Sequence, residues 1–258
     1  MDTAAAHPRG VVLTGGASGI GAATSVAFAQ AGYDVVFGYH AKDPHDPWIV
    51  TRQIEAHGRR AHAVELDVRS TESVDHLFAV ASERLASIDA VVANAGILQR
   101  HSIEQMRDED WYDVIDVDLT GIMRVFRAAS PRMGSGAALV AVASITGAIY
   151  GWAEHAHYAA AKAGIRGLVR SLAMEFGSRG IRVNTVIPGL VRTPQSLDEV
   201  QSLGEKALQA LAPSVPIGRI GTPEDIAGVI RFLCSDDAQY VTAAELVVDG
   251  GLTVRQSE

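Results

Sequence analysis

Short, almost continuously apolar runs alternate along this chain with longer segments that mix apolar and polar residues. Such runs suit strands covered on both faces, and the longer segments have helical length and often end near glycine. The alternation predicts an α/β fold: a single doubly wound Rossmann-type domain over residues 1–258, with about seven parallel strands and helices on both faces. The apolar runs are GVVLTG, YDVVFGY, AHAVELD, IDAVVAN, AALVAVAS, IRVNTVI and AELVVDG.

One stretch, residues 193–219, departs from this alternation. It contains Pro194, Pro213 and Pro216 around a short amphipathic piece. An excursion of this length in a compact domain is typical of a lid over a binding site. We therefore predict a substrate-side lid; an inert surface loop is the alternative.

Composition narrows the class of protein. The 258 residues are 48% hydrophobic and carry a formal net charge of -8, which argues against nucleic acid or an anionic membrane as a partner. The first residues lack a signal-peptide pattern and no apolar run approaches membrane-spanning length, so we expect a cytoplasmic protein. The single cysteine, Cys234, excludes internal disulfides and is expected to be a small buried residue.

The segment TGGASGIG follows the first predicted strand directly and opens a helix. Gly15, Gly19 and Gly21 would permit a tight turn and let a pyrophosphate approach the backbone amides at the helix N-terminus. The spacing is G-x-x-x-G-x-G, and its position after strand one favours a nucleotide site over a bare turn.

The segment HYAAAK places Tyr158 four residues before Lys162 in a run that should be helical. Residues at this spacing share one helical face, so the phenol and the ammonium can lie together. A free phenol titrates near ~10, and a cation within a few ångströms lowers this pKa by roughly 1–3 units. The pair therefore suggests a tyrosine that exchanges protons near neutral pH, against the alternative of two solvated surface residues. Only Lys42, Lys162 and Lys206 among the 22 basic residues are lysines.

These motifs do not stand alone. Asn94, Ala95 and Gly96 form NAG, Ser144 lies in VASITG, Pro188 and Gly189 form PG, and VDGG follows near the end. In order and spacing, the set resembles the short-chain dehydrogenase/reductase family over essentially the whole chain.

The resemblance implies a role for each matched residue. Tyr158 would protonate the carbonyl oxygen, Lys162 would lower the pKa of Tyr158 and bind the nicotinamide ribose, and Ser144 would polarise the substrate oxygen. Asp67 would reach the adenine and Thr193 the carboxamide or phosphates. Alternatives remain for single residues: Ser144 as a helix cap, Asn94 as a turn former and Asp67 in an Asx turn. The implied cofactor-binding residues are Gly15, Ser18, Gly19, Ile20, Gly21, Tyr39, His40, Asp67, Val68, Asn94, Ala95, Gly96, Tyr158, Lys162, Pro188, Gly189, Val191 and Thr193.

The chain departs from the family pattern in three places. Ala93 replaces the first asparagine of the usual NNAG, and the segment between Ser144 and Tyr158 is one residue longer than usual. Asp118, in DLTG, stands where the family has a catalytic asparagine, so we count it among the candidate catalytic residues and expect it near Lys162. His155 and His157 are expected to be loop residues rather than metal ligands, because no partner with ligand spacing accompanies them, and no metal is predicted.

The end of the second strand bears on the choice of cofactor. An acidic residue there would hold the ribose hydroxyls and repel a 2′-phosphate. This chain has Tyr39, followed by His40 and Lys42, which favours NADP over NAD.

Taken together, the residues and the resemblance predict an NAD(P)-dependent enzyme that interconverts a small ketone and a secondary alcohol. The branches it resembles are the 3-oxoacyl-carrier-protein reductases and the sugar or steroid dehydrogenases. The alternative is a nucleotide-binding sensor or scaffold of weakened catalysis. The resemblance also implies a homotetramer, and small residues along the Tyr158 helix allow one; a fully buried core helix is the other explanation of that face.

Overall fold

The computed structural model describes residues 8–254, in which the seven predicted apolar runs form one fully parallel sheet. The strand order is β3-β2-β1-β4-β5-β6-β7. The predicted α/β architecture is therefore confirmed. The strands are β1 (Gly10–Thr14), β2 (Asp34–Tyr39), β3 (Ala61–Glu65), β4 (Ala90–Ala93), β5 (Ala138–Val142), β6 (Arg182–Pro188) and β7 (Glu245–Val248).

Helices connect successive strands. The segment between β4 and β5 contains two helices joined by a π-helical turn, Asp116–Thr120. A π turn widens the helix by one residue and is frequent at functional sites. The helices are α1 (Gly19–Gln30), α2 (Pro47–Ala56), α3 (Thr71–Arg84), α4 (Asp108–Ile115), α5 (Gly121–Ala129), α6 (Ile145–Ala148, distorted), α7 (Ala156–Gly177), α8 (Pro194–Leu197), α9 (Gly204–Ala210) and α10 (Pro223–Leu233).

The sheet separates two hydrophobic cores, and the side-chain alternation of β1 shows how. Val11 and Leu13 face one core, which includes Phe28 of α1. Val12 faces the other core, which includes Phe78 of α3. All of β1 is buried, so both faces of the central strand are apolar, as the continuous apolar runs predict.

The strand order reverses between β1 and β4. In a doubly wound sheet the connections diverge at this point and leave a crevice at the carboxyl ends of the strands. The glycine segment follows β1 and the NAG segment follows β4, so the fold brings both motifs to this crevice.

Cys234 ends α10 in one of the two cores. Burial raises the pKa of its thiol to about 12, so the thiol stays protonated and acts as a small apolar residue, as expected. Within residues 8–254, no helix combines the length and apolarity needed to cross a membrane.

Candidate active site

Thr14, at the end of β1, joins the glycine segment to the NAG segment. Its hydroxyl oxygen accepts hydrogen bonds from the backbone N–H groups of Asn94 and Ala95, at 3.1 and 3.0 Å. The Asn94 side-chain amide donates in return to the backbone carbonyls of Thr14 and Gly15, at 3.2 and 3.1 Å. Asn94 therefore organises the floor of the crevice. This role goes beyond forming a turn, which was the alternative interpretation.

Two glycines leave the space that a dinucleotide needs. Gly15 has a φ of +67°, which disfavours residues with a side chain. A Cβ atom on Gly21 would lie 1.9 Å from the Gly15 carbonyl oxygen, so α1 can approach the turn only with glycine there. The Ser18 side chain does not cap α1, and the first turn of this helix carries no acidic residue. The free N–H groups and the positive end of the helix dipole therefore suit a pyrophosphate.

A cleft of about 430 Å³ runs from this turn to the end of β2. Tyr39, His40 and Lys42 line the far end, as predicted, and Arg69 adds a further cation. Asp67 and Asp43 lie among them, so the charge at this end is mixed. The residues present fit an adenosine with basic groups beside its ribose.

Asp67 forms the Asx turn that was the alternative to a role in cofactor binding, and it also lines the cleft. Its carboxylate accepts from the Arg69 backbone N–H at 2.9 Å and pairs with the Arg69 guanidinium at 2.8 Å. These contacts with Arg69 hold the pKa of Asp67 below its ordinary value. Arg69 also reaches Asp113 at 3.4 Å. Sequence reasoning missed Arg69, although a basic residue two positions after a strand-end aspartate was a visible signal.

The end of β5 and the beginning of α7 bring Ser144, Tyr158 and Lys162 together. The Ser144 hydroxyl accepts from the Thr146 backbone N–H at 3.1 Å, which makes it the N-cap of α6, and Ser144 lines the same cavity as Tyr158. The Lys162 ammonium lies 5.4 Å from the centroid of the Tyr158 ring. The cap and the catalytic placement predicted for Ser144 therefore coexist, and the longer loop before Tyr158 does not break the cluster.

Asp118 lies on the π turn and is fully buried against Lys162. Its Oδ2 lies 3.1 Å from the Lys162 Nζ, and its Oδ1 accepts from the Ile97 backbone N–H at 2.7 Å. The Lys162 Nζ also donates to the Val142 carbonyl at 3.2 Å. The predicted proximity of Asp118 and Lys162 is confirmed. The carboxylate also anchors the backbone just after Gly96.

The charges of this cluster oppose one another. Burial raises the pKa of the Tyr158 phenol, the Lys162 ammonium opposes that rise, and Asp118 adds to it. Burial also raises the pKa of Asp118, against the attraction of Lys162. For Lys162 burial acts to lower the pKa, but the Asp118 carboxylate beside it outweighs burial and leaves the pKa raised.

The net lowering of the Tyr158 pKa that the pair with Lys162 predicts is therefore wrong for this chain. Lysine does act in the expected direction, but burial of the phenol and the adjacent carboxylate outweigh it. Tyr158 consequently remains a protonated phenol, the form of the residue that can donate a proton.

A second cavity, of about 350 Å³, opens beside this cluster and shares Ile20, Asn94, Gly96 and Thr193 with the nucleotide cleft. Thr193 caps α8 and packs near Gly19, where a Cβ atom would lie 3.3 Å from the Thr193 Cβ. Residues of the 193–219 segment form part of the wall. The wall residues from this segment are Thr193, Gln195, Ser196, Ser202, Leu203, Leu208 and Leu211.

The remaining predicted cofactor residues lie along the same two cavities. Val68 and Ala95 line the nucleotide cleft, whereas the second cavity is lined by Pro188, the last residue of β6, and by Gly189 and Val191, which follow it. The structure therefore brings the predicted site residues to one continuous crevice, except Gly21, which is buried in the first turn of α1. Thr14 was missed, since a threonine at the end of a strand carries no distinctive sequence signal.

His155 and His157 are both buried and lie in the loop and first turn that lead to Tyr158. Within residues 8–254 no three histidine, cysteine or acidic side chains are grouped so that they could hold a metal ion.

Comparison with known proteins agrees with this geometry. A family model described as enoyl-(acyl carrier protein) reductase matches residues 15–253. The chain is 42% identical to cis-4-hydroxycyclohexanecarboxylate dehydrogenase of Sinomonas cyclohexanicum, over 95% of this chain and 96% of that protein. It is 39% identical to L-rhamnose 1-dehydrogenase (NAD(P)(+)) of Azotobacter vinelandii, over 95% and 96% of the two chains.

Among solved structures, a dehydrogenase/reductase from Sinorhizobium meliloti 1021 superposes with a TM-score of 0.88 at 30% identity, covering 95% of this chain and 94% of that one. The glycine turn, the Ser144, Tyr158 and Lys162 cluster and these similarities lead to one conclusion: the chain belongs to the short-chain dehydrogenase/reductase family and is an NAD(P)-dependent oxidoreductase.

Proposed function

We propose that this oxidoreductase reduces a small ketone to a secondary alcohol, and catalyses the reverse reaction, with Tyr158 as the acid or base. The observation that carries the proposal is the cluster of Ser144, Tyr158 and Lys162 in the wall of the second cavity, which adjoins the nucleotide cleft; the Lys162 ammonium there lies 5.4 Å from the centroid of the Tyr158 ring. The bound nicotinamide would supply or accept the hydride.

The protein side of the reaction is then a single proton transfer. The Ser144 and Tyr158 hydroxyls would donate hydrogen bonds to the ketone oxygen and polarise the carbonyl. As the carbonyl carbon receives the hydride, its oxygen would take the phenolic proton, leaving an alcohol and a phenolate. Lys162 would stabilise that phenolate, and its Asp118 partner would hold the ammonium in place.

For the cofactor we propose NADP, with NAD as the alternative. His40, Lys42 and Arg69 surround the end of β2, where Tyr39 replaces the acidic residue that would repel a 2′-phosphate. Arg69 supports the proposal although Asp67 engages one side of it, because a guanidinium has five donors.

A sensor or scaffold without catalysis is the less favoured alternative. A binding module has no need of a proton donor, yet Ser144, Tyr158 and Lys162 are assembled beside an open cavity. We further propose a cytoplasmic homotetramer. On α7, Ala160, Ala163, Gly167 and Met174 remain exposed, and they form a surface of small and apolar residues suited to contact between subunits.

Replacing Tyr158 tests the proton donor. Tyr158→Phe should keep the fold and cofactor binding but lower kcat by roughly 10²-fold or more, because phenylalanine fills the site and donates no proton. The measurement follows NADPH absorbance with a panel of small ketones. Tyr240→Phe, at a fully exposed tyrosine, is the control and should be as active as wild type. Undiminished turnover by Tyr158→Phe would contradict the assignment.

Replacing Tyr39 tests the cofactor. Tyr39→Asp should place a carboxylate against the 2′-phosphate and reduce the preference for NADP over NAD by at least about 10-fold. Calorimetric Kd values for the two oxidised cofactors measure this without turnover, and Tyr240→Asp serves as the control for an added charge. A wild-type protein that already binds NAD more tightly would show that the electrostatic argument is wrong.

Replacing Asp118 tests the charge in the cluster. Asp118 raises the pKa of Tyr158, so Asp118→Asn should lower that pKa and move the basic limb of alcohol oxidation, which requires the phenolate, to lower pH. Profiles of kcat/KM against pH measure the shift. Asp116→Asn, which removes the partner of Arg124, is the matched control on the same π turn. Identical profiles for Asp118→Asn and wild type would remove Asp118 from the catalytic cluster.

A further inference from the structure

We infer that the second cavity takes an uncharged, predominantly apolar ketone or secondary alcohol and rejects substrates that carry a carboxylate. This inference rests on the proposed function, because it concerns the substrate of the same site. It is carried by the charges around the cavity and by the apolar side chains of its walls.

The cavity offers no free cation to an anionic substrate. Among the residues that line it in the described chain, Lys162 and Asp118 are the charged ones, and they contact each other at 3.1 Å. A carboxylate entering here would lose its water without gaining a cationic partner, which is costly.

The arginines near the cavity are also engaged. Arg100 pairs with Glu154 at 2.5 Å, and its backbone N–H contacts the lid residue Gln201. Arg192 pairs with Glu205 of α9. Tyr150 lies at the rim, where burial and the negative charge of Asp249 raise the pKa of its phenol. The Asp249 carboxylate would repel an anionic substrate at this point.

The walls are apolar on several sides. Leu98 comes from the segment after β4, Trp152 from the loop before α7, and Leu203 and Leu208 from the lid. An apolar substrate would bury its surface against these side chains at about 25 cal/mol per Å².

A matched pair of ketones tests this inference. With NADPH, kcat/KM for 4-methylcyclohexanone should exceed that for 4-oxocyclohexanecarboxylate by about 10²-fold or more, because the two differ mainly in a charge that the cavity leaves unpaired. The relative from Sinomonas cyclohexanicum, named for a hydroxycyclohexanecarboxylate, provides the contrast. Equal or reversed preference would overturn the inference while leaving the proposed function intact.

A binding measurement without turnover distinguishes failure of this inference from failure of the proposed function. In thermal unfolding with the oxidised cofactor, which cannot reduce a ketone, 4-methylcyclohexanone should raise Tm and 4-oxocyclohexanecarboxylate should not. Oxidoreductase activity absent with every ketone would contradict the proposed function, whereas a Tm raised by the carboxylate alone would contradict this inference.

A gained cation provides a further check. Leu203→Arg should raise kcat/KM for the carboxylate relative to the neutral ketone by about 10-fold, since the new guanidinium would pair with it. Val200→Arg adds the same charge to an exposed lid residue outside the cavity wall and should leave the ratio unchanged. An unchanged ratio in a folded Leu203→Arg variant would count against charge as the basis of selection.

A different observation carries a second inference, on His155. Its ring is buried, with Nδ1 2.7 Å from the Ala153 carbonyl oxygen and Nε2 3.1 Å from the Gln201 carbonyl oxygen. Carbonyl oxygens only accept, and a neutral imidazole donates from one nitrogen. Both contacts are hydrogen bonds only when the ring is the doubly protonated cation.

We infer that protonated His155 is a positioning residue that fastens the lid to the wall of the substrate cavity. Its ring stacks on the Trp152 indole, with centroids 3.9 Å apart and planes at 15°, an arrangement that favours a cation. Trp152 lines the cavity, and Gln201 precedes the wall residues Ser202 and Leu203. The Nδ1 contact, at 2.7 Å, is shorter than the Nε2 contact, at 3.1 Å, so a neutral ring would keep its proton on Nδ1 and would lose the hydrogen bond from Nε2 to Gln201.

The charged and titratable groups around His155 come from three segments. Glu154 and His157 lie on its own segment, and His157 has a pKa lowered by burial, then by His101 and His155. Arg100 and His101 lie on the facing segment, where Arg100 pairs with Glu154. On the lid, Asp198 accepts from the Gln201 backbone N–H at 2.9 Å.

The pH dependence of KM tests the role of His155. With saturating NADPH, KM for 4-methylcyclohexanone should rise about 10-fold between acidic and alkaline pH, the loss expected for a hydrogen bond to a charged group. His155→Gln retains an N–H near the Nε2 position at every pH and should abolish this rise. His76→Gln, at an exposed histidine of α3, should preserve it. A KM profile of His155→Gln that follows wild type would overturn the inference.

A spectroscopic measurement on the wild-type protein is independent of any variant. Ring ¹⁵N shifts of labelled histidine should show one buried imidazolium with both nitrogens protonated at acidic pH, and its conversion to a neutral ring should coincide with the rise in KM. A His155 ring that stays neutral across the range in which KM changes would contradict the inference.

Discussion

The arrangement of the active site depends on the burial of one ammonium group. Lys162 is almost inaccessible to solvent, and a buried charge is tolerated only with partners. Its partners come from Asp118 on the π turn and the Val142 carbonyl at the end of β5. Asp118 in turn holds the Ile97 backbone, next to the NAG segment. One side chain of α7 therefore fixes three elements around the crevice.

The carboxylate partner gives this member of the family a different charge balance from one with asparagine at the same position. Asp118 and Lys162 largely neutralise each other, and burial keeps the Tyr158 phenol protonated. A protonated phenol suits carbonyl reduction, whereas alcohol oxidation requires the phenolate. The same internal pairing leaves the apolar cavity without a free cation, so the charge of the catalytic cluster also bears on which substrates can enter.

Much of the fold could be predicted because the signals were local. The continuous apolar runs predicted buried parallel strands, and Val11, Val12 and Leu13 face alternate cores as such strands require. The spacing of Tyr158 and Lys162 predicted a shared helical face, which α7 provides. The glycine turn could also be predicted from the sequence. The backbone at Gly15 approaches position 21 so closely that only glycine fits there.

The sequence by itself therefore determined the parallel α/β architecture, the glycine turn and the pairing of Tyr158 with Lys162, because each follows from residues close together along the chain. The tertiary structure decided what distant residues do to one another. It buried the Tyr158 phenol beside Asp118, so that the pKa of Tyr158 rises despite the opposing effect of Lys162. It also paired Asp67 with Arg69. It also set both ring nitrogens of His155 against carbonyl oxygens, one of them in the 193–219 segment. Charge, burial and hydrogen bonding depend on three-dimensional distance, and strand order and loop geometry set that distance only once the chain has folded.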